Sequence, residues 1–138
     1  MRSSSLVRSE RGAINFMVLF IIAVLAAAAY FGYAWLPHWF ANRKAISAMN
    51  AAGYQAWRLD DATLLEMVLQ ETDKVILVDD GEGSYPAVDE TMVKISRDSK
   101  NIYIDMAYEV PMRLPWVDRP IEIRFENHTK TDLENPSR

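Results

Sequence analysis

The feature that most limits how this chain can fold is a stretch without charge. Residues 12–42 contain no Asp, Glu, Lys or Arg, and in residues 14–36 the single strongly polar side chain is Asn15. As a helix, residues 14–36 would measure roughly 34 Å, enough to cross a hydrocarbon layer of about 30 Å. A helix also satisfies its own backbone hydrogen bonds, as a membrane-spanning segment must. We therefore predict a transmembrane helix at residues 14–36.

Aromatic side chains gather at the C-terminal end of this span. We assign Tyr33, Trp35 and Trp39 as membrane-interface anchors, because Trp and Tyr concentrate at the level of the lipid headgroups. Core helices of soluble proteins seldom carry so long an apolar stretch. The lipid bilayer is therefore the first predicted partner.

The charges on the two sides of the span predict its orientation. Residues 1–12 carry three Arg and one Glu, whereas residues 43–138 carry 12 basic and 18 acidic side chains, a net charge of -6. Because basic flanks stay in the cytoplasm, we predict a single crossing with a cytoplasmic N-terminus. The C-terminal domain would lie outside, in a periplasm-like or extracellular space.

A cleaved signal peptide is the alternative to a retained anchor. The basic start and the four alanines at residues 26–29 resemble a signal peptide and its cleavage site. Cleavage near Ala29 would release a secreted domain. The apolar run continues through Tyr30, Phe31 and Trp35 instead of turning polar, which favours a retained anchor. Both alternatives remain open at this point.

Helical spacing resumes after the span. We predict one long helix over residues 13–52, kinked near Pro37 and ended by Gly53. A second helix is predicted over residues 61–72, with Asp60 or Asp61 as its N-cap. The predicted buried side chains are Phe40, Ile46, Met49 and Ala52 on the first helix and Leu64, Leu65, Val68 and Leu69 on the second.

Alternating apolar and polar residues then predict an antiparallel sheet of three to four strands. The predicted strands are residues 75–78, 92–96, 102–110 and 121–126, with a loop at 79–86 and a turn at 98–101. The fold class is α+β, with a long N-terminal transmembrane helix continuing into the domain. The predicted parts are a cytoplasmic basic leader (1–12), the long helix (13–52), an external domain (53–127) and a polar tail (128–138).

The sequence Arg11-Gly12-Ala13, followed by an uncharged helix and a helix-plus-sheet domain, resembles type IV pilin-like proteins. Within these, the chain is similar over residues 10–126 to short bacterial single-pass membrane proteins of unknown function. The matching features are a basic residue and glycine before the span (Arg11-Gly12), a proline after it (Pro37) and a Tyr-Glu strand that carries a proline (residues 108–111). The resemblance implies a pilin-like domain with a structural or interaction role in the envelope.

In pilins, a membrane peptidase cuts after such a glycine, and the exposed helices assemble into a filament. The resemblance therefore implies a processing site between Gly12 and Ala13. Pilins usually carry a glutamate at the fifth mature position, where this chain has Met17. That glutamate assists subunit registry, so the departure bears on both processing and assembly.

The residue types present argue against an enzyme. The chain has no cysteine, and its two histidines, His38 and His128, lie far apart in the sequence. We find no zinc-ligand spacing and no glycine-rich phosphate loop. The acidic loop at residues 79–83 could attract Ca²⁺, but its spacing differs from that of an EF-hand. We predict no catalytic residue, no cofactor and no metal, and the net charge of -4 argues against a nucleic-acid partner.

Helix association is the interaction that the span itself suggests. Asn15 would favour a hydrogen-bonding partner in lipid, and Ala23 and Ala27 belong to a small-residue surface that permits close approach of a second helix. The expected partners are other membrane or envelope proteins, including copies of this chain. The alternative is a membrane-tethered module that binds a periplasmic ligand without assembling.

The intact mass of the protein extracted from membranes should show that residues 14–36 are retained, with the N-terminus at Met1 or, if the pilin-type peptidase acts, at Ala13. A mature chain that starts near Tyr30 would contradict the anchor and support the signal peptide.

Overall fold

The computed structural model describes residues 11–134, and the side chains of residues 15–134. The chain divides between Ala34 and Trp35 into two units, which are described separately. One α-helix, α1 (Arg11–Gln55), provides the described part of the first unit and the start of the second. Pro37 lies inside this helix. The prediction of one long apolar helix that continues into the domain is therefore confirmed, whereas the membrane crossing and the kink stay predictions.

The second unit is an α+β domain, as the sequence predicts. After α1 come α2 (Asp61–Thr72), β1 (Leu77–Asp79), β2 (Ser84–Pro86), a 3-10 turn (Glu90–Met92), β3 (Val93–Arg97), β4 (Asn101–Met112) and β5 (Ile121–Asp132). Strands β3, β4 and β5 form an antiparallel sheet in that order. Strands β1 and β2 form a separate antiparallel pair.

The core contains one face of β4 and the facing sides of the two helices. The alternating residues predicted for β4 are all buried: Ile102, Ile104, Met106, Tyr108 and Val110. On α2, Leu64 and Val68 are fully buried, and Leu65 and Leu69 pack against the core, as predicted. Burial of a side chain of this size contributes about 1.5–3 kcal/mol.

The buried side of α1 differs in part from the prediction. Met49 and Ala52 are fully buried, but Phe40 is 53% exposed and Ile46 is only half-buried. Their neighbours Ala41 and Ala45 pack in the core instead. The prediction that Phe40 is buried is wrong because the spacing of apolar residues locates the buried side of a helix only approximately. Which neighbouring residue faces the core depends on where the sheet meets the helix.

Gly53 does not end α1, which continues to Gln55. Its role is to permit close packing, because a Cβ at this position would lie 3.2 Å from the Cβ of Thr131 and closer still to its hydroxyl oxygen. The glycine therefore marks the point where the helix backbone meets the end of β5. The prediction of a stop at Gly53 is wrong for this reason.

The polar tail predicted from residue 128 also differs from the structure. Strand β5 continues to Asp132, and the side chains of Thr129 and Thr131 are buried. The prediction of a tail is wrong because it treated the threonines as polar residues, whereas their β-branched side chains suit a strand. These residues pair with Ile104 and Ile102 of β4 and so complete the sheet.

The short strands differ from the prediction as well. The predicted sheet of three to four strands has three, because β1 lies outside it. Strand β1 pairs instead with β2, which lies in the stretch predicted as a loop. The turn between them is closed by Asp79 and Asp80, whose carboxylates accept backbone N–H bonds from residues 81–83. Gly81 has φ +92°, a backbone conformation that favours glycine.

The substitution Gly53→Ala should lower the free energy of unfolding by about 1 kcal/mol. Overpacking against Thr131 costs about 1–3 kcal/mol, which exceeds the gain of at most about 1 kcal/mol from replacing glycine within a helix. Chemical denaturation of the full chain in detergent would measure the change.

Gly83→Ala is the matched control, because a Cβ at Gly83 meets no atom within 4 Å. In a Thr131→Ala background the cost of Gly53→Ala should disappear. An equal cost in both backgrounds would contradict the packing role.

Candidate functional site

The first candidate surface is the apolar part of α1. Its side chains are exposed over residues 15–29, and Phe16, for example, is 76% and Leu19 67% exposed. By length and composition, α1 is able to cross a membrane. Among the described residues nothing covers these side chains, and an apolar surface of this size is unfavourable in water.

The residues predicted for helix association are exposed on this segment. Ala23 and Ala27 lie one turn apart and share a side of the helix. Asn15, eight residues before Ala23, is rotated from it by about 80° at 3.6 residues per turn. The structure therefore places the two alanines on one side, with the amide toward its margin.

The three predicted interface anchors follow along the same helix. Tyr33 is 80% and Trp35 45% exposed, whereas Trp39 is half-buried. The guanidinium carbon of Arg43 lies 5.0 Å from the centre of the Trp39 ring, in a cation–π arrangement. A tryptophan whose ring face contacts a cation suits the boundary between lipid and water, because the ring is apolar and the cation remains hydrated.

The predicted processing site lies at the edge of the described chain. Gly12 and Ala13 belong to the backbone of α1, but the side chain of Ala13 and residues 1–10 of the leader lie outside the described residues.

A polar trio links α1 to the sheet. The Oδ1 atom of Asn42 accepts hydrogen bonds from the Tyr108 hydroxyl at 2.9 Å and from Nδ2 of Asn127 at 2.7 Å. Burial raises the pKa of the Tyr108 hydroxyl above its ordinary value. Asn42 and Asn127 stand 85 positions apart in the chain. Sequence reasoning missed the trio, since a lone asparagine on a helix gives no signal of such a partner.

Arg97 forms a second link that sequence reasoning missed. Its guanidinium donates to the carbonyl oxygens of Ala56 at 2.6 Å and Leu59 at 2.8 Å, and Nε pairs with the Asp61 carboxylate. The arginine therefore satisfies carbonyls just beyond the end of α1 and holds the connection to α2 against β3. Asp60 is the N-cap of α2, but its carboxylate accepts the Thr63 hydroxyl instead of the predicted backbone N–H.

The acidic loop at residues 79–83 uses its carboxylates for its own turn. The backbone N–H groups of Glu82 and Gly83, and more weakly the charge of Arg113, lower the pKa of Asp80. Within residues 15–134, no group of three acidic or histidine side chains is arranged to hold a metal ion. The geometry of this loop is that of a hairpin turn.

The polar face of the sheet carries ion pairs. Arg124 lies 2.8 Å from Glu126 and 3.7 Å from Glu109, its partner across the strands. Glu109 and Arg124 form an ion pair that joins β4 to β5. Because both side chains are more than half exposed, such a pair contributes less than about 1 kcal/mol.

The two histidines lie in different surroundings. His128, which the sequence placed in the tail, lies on β5, where its Nδ1 is 2.8 Å from Asp105 Oδ1. His38 lines a small cavity of about 150 Å³ with Pro37, Ala41 and Val110 among its other residues.

Comparisons with protein-family models, with curated proteins and with solved structures found no match to this chain. Its function must therefore be inferred from its own residues and their arrangement.

The substitution Asn42→Ala should lower the free energy of unfolding by about 2 kcal/mol or more, because two buried donors lose their acceptor. Tyr108→Phe should cost only about 1 kcal/mol, since Asn127 keeps its bond. Denaturant titration of the full chain in detergent would measure both.

Asn50→Ala is the control, on the same helix and also half-buried; its effect should stay within about 0.5 kcal/mol. Equal losses for Asn42→Ala and Asn50→Ala would contradict the proposed link between α1 and the sheet.

Proposed function

We propose that this chain is a non-enzymatic, single-pass membrane protein of pilin-like layout, with a structural or interaction role in the bacterial envelope. The exposed apolar surface of α1 is the observation that carries the proposal. A surface of this size has no stable place in water, and a bilayer or a set of neighbouring helices would cover it.

The same helix supports the pilin-like part of the proposal. Beyond Trp35, α1 continues without a break and contributes Ala45, Met49 and Ala52 to the core of the α+β domain. One helix therefore serves as both anchor and core element, as the resemblance implies. Processing between Gly12 and Ala13 would follow from the same resemblance.

The proposed orientation rests on charge. With residues 1–12 positive and residues 43–138 at a net charge of -6, the leader would remain in the cytoplasm and the domain would lie in the periplasm.

Two surfaces are available for assembly. In the membrane, the side of α1 that carries Ala23 and Ala27 permits close helix contact. In the domain, β5 pairs along one side with β4 and is the last strand of the three-stranded sheet as described. An edge strand of this length presents backbone donors and acceptors to a further strand.

Cross-linking and affinity purification from membranes would test the role of the span. Ala27→Ile should reduce complexes, because the larger side chain separates the helices. Ala29→Ile is the matched control, two residues on and therefore about 200° around the helix, and should leave complexes intact.

Replacement of residues 14–36 by an unrelated span separates the two functional classes. Loss of the co-purifying proteins would support assembly through α1. Retention of the same proteins would contradict that role and favour the tethered binding module.

A further inference from the structure

The direction of β4 relative to the second half of α1 follows from two contacts within the second unit. Gly53 meets Thr131, whose partner on β4 is Ile102. Eleven residues earlier on the helix, Asn42 bonds Tyr108, six residues later on the strand. Strand β4 and the second half of α1 are therefore antiparallel, and the end of β4 at Met112 lies toward Trp35.

Simple lengths place the end of β4 near the level of Trp35. From Tyr108 to Met112 the strand rises about 13 Å at 3.3 Å per residue. From Asn42 back to Trp35 the helix covers about 10 Å at 1.5 Å per residue. The cavity that joins Pro37 and His38 to Val110 agrees with this alignment. Within the second unit, the β4–β5 loop, residues 113–120, therefore starts at about the level of Trp35, one of the predicted interface anchors.

The β4–β5 loop exposes apolar side chains at this position. Trp116 is 86% exposed, and Val117 and the adjoining Ile121 are 45% and 44% exposed. Pro115 and Pro120 remove two backbone N–H groups that would otherwise need partners. An exposed tryptophan with apolar neighbours and few backbone donors suits the boundary between headgroups and acyl chains.

Charge does not select a protein partner for this loop. Its ionisable side chains are Arg113, Asp118 and Arg119, and Arg113 interacts with Asp80 of the neighbouring turn. A surface with so small a charge imbalance favours neither an acidic nor a basic partner. The features that indicate what this loop contacts are therefore the exposed Trp116 and its position near the level of Trp35.

We propose that the β4–β5 loop inserts into the headgroup layer of the membrane that α1 crosses, with Trp116 as a second anchor for the domain. The proposal rests on the membrane location proposed above. A single spanning helix leaves the protein free to tilt in the bilayer and to rotate about the helix axis. A second contact, on a different element, holds one side of the sheet against the lipid and leaves the far end, at the 98–101 turn, in water.

Because the chain has no cysteine, single labelled sites can test this in the full-length protein. Val117→Cys, Ser99→Cys and Leu25→Cys would each carry an environment-sensitive NBD fluorophore, after reconstitution into phosphatidylcholine vesicles. Ser99 is the matched control at the opposite end of β4, and Leu25 reports on the span. Quenching by nitroxide-labelled phosphatidylcholine and by aqueous iodide would be compared at each site.

We expect the label at Val117 to show blue-shifted emission, quenching by the lipid nitroxide and weak quenching by iodide, and the label at Ser99 to show the reverse. Trp116→Ser should return the Val117 label toward the behaviour of Ser99, whereas Trp57→Ser, a change at another exposed tryptophan, should not.

The other outcomes distinguish which proposal fails. Lipid quenching at Leu25 with full iodide access at Val117 would overturn the loop proposal and leave the anchor intact. Iodide access at both sites would overturn the anchor and the loop together. Protection of Val117 from iodide without lipid quenching would indicate a second copy of the chain and would also overturn the loop proposal.

Discussion

The folded domain depends on the close packing of α1 against the three-stranded sheet. Along its buried side the helix carries the small residues Ala45, Ala52 and Gly53, with Met49 as the one large fully buried side chain; buried Ala56 follows just beyond the helix end. Small residues let the helix backbone approach the strands. Such close contact stabilises the fold, because protein interiors are packed as densely as organic crystals. The same contact aligns the helix with β4 and β5.

Two polar links make that alignment specific. Asn42 joins α1 to both long strands, and Arg97 holds the connection between the two helices against β3. Apolar packing alone would tolerate a small rotation or slide of the helix, whereas a hydrogen bond is lost within a fraction of its length. The direction of β4, and with it the position of the β4–β5 loop, depends on these contacts.

Environment divides α1 into two regions although its backbone is continuous. The residues before Ala34 carry apolar side chains on every side, which is typical of a helix in lipid. The residues after Trp35 bury a narrow stripe of small side chains and leave Arg43 and Lys44 exposed. A single element can therefore anchor a protein and form part of its core.

Periodicity was enough to predict α2, the three main strands and the buried face of β4, because these features depend on spacing within one segment. It was not enough for Phe40, Gly53 and residues 128–132. Each of these depends on which residue of another segment lies opposite: the sheet for Phe40, Thr131 for Gly53, and β4 for the end of β5.

The candidate surfaces also fall into those predicted from the sequence and those that only the fold reveals. The candidate span, its aromatic end and its proposed orientation were predicted from composition and charge along the chain, since a bilayer acts on each segment according to its polarity. The polar trio, the Arg97 link and the height of the β4–β5 loop emerged only from the folded chain. The trio and the Arg97 link join residues separated by 36 to 85 positions, and no local pattern encodes such a pairing.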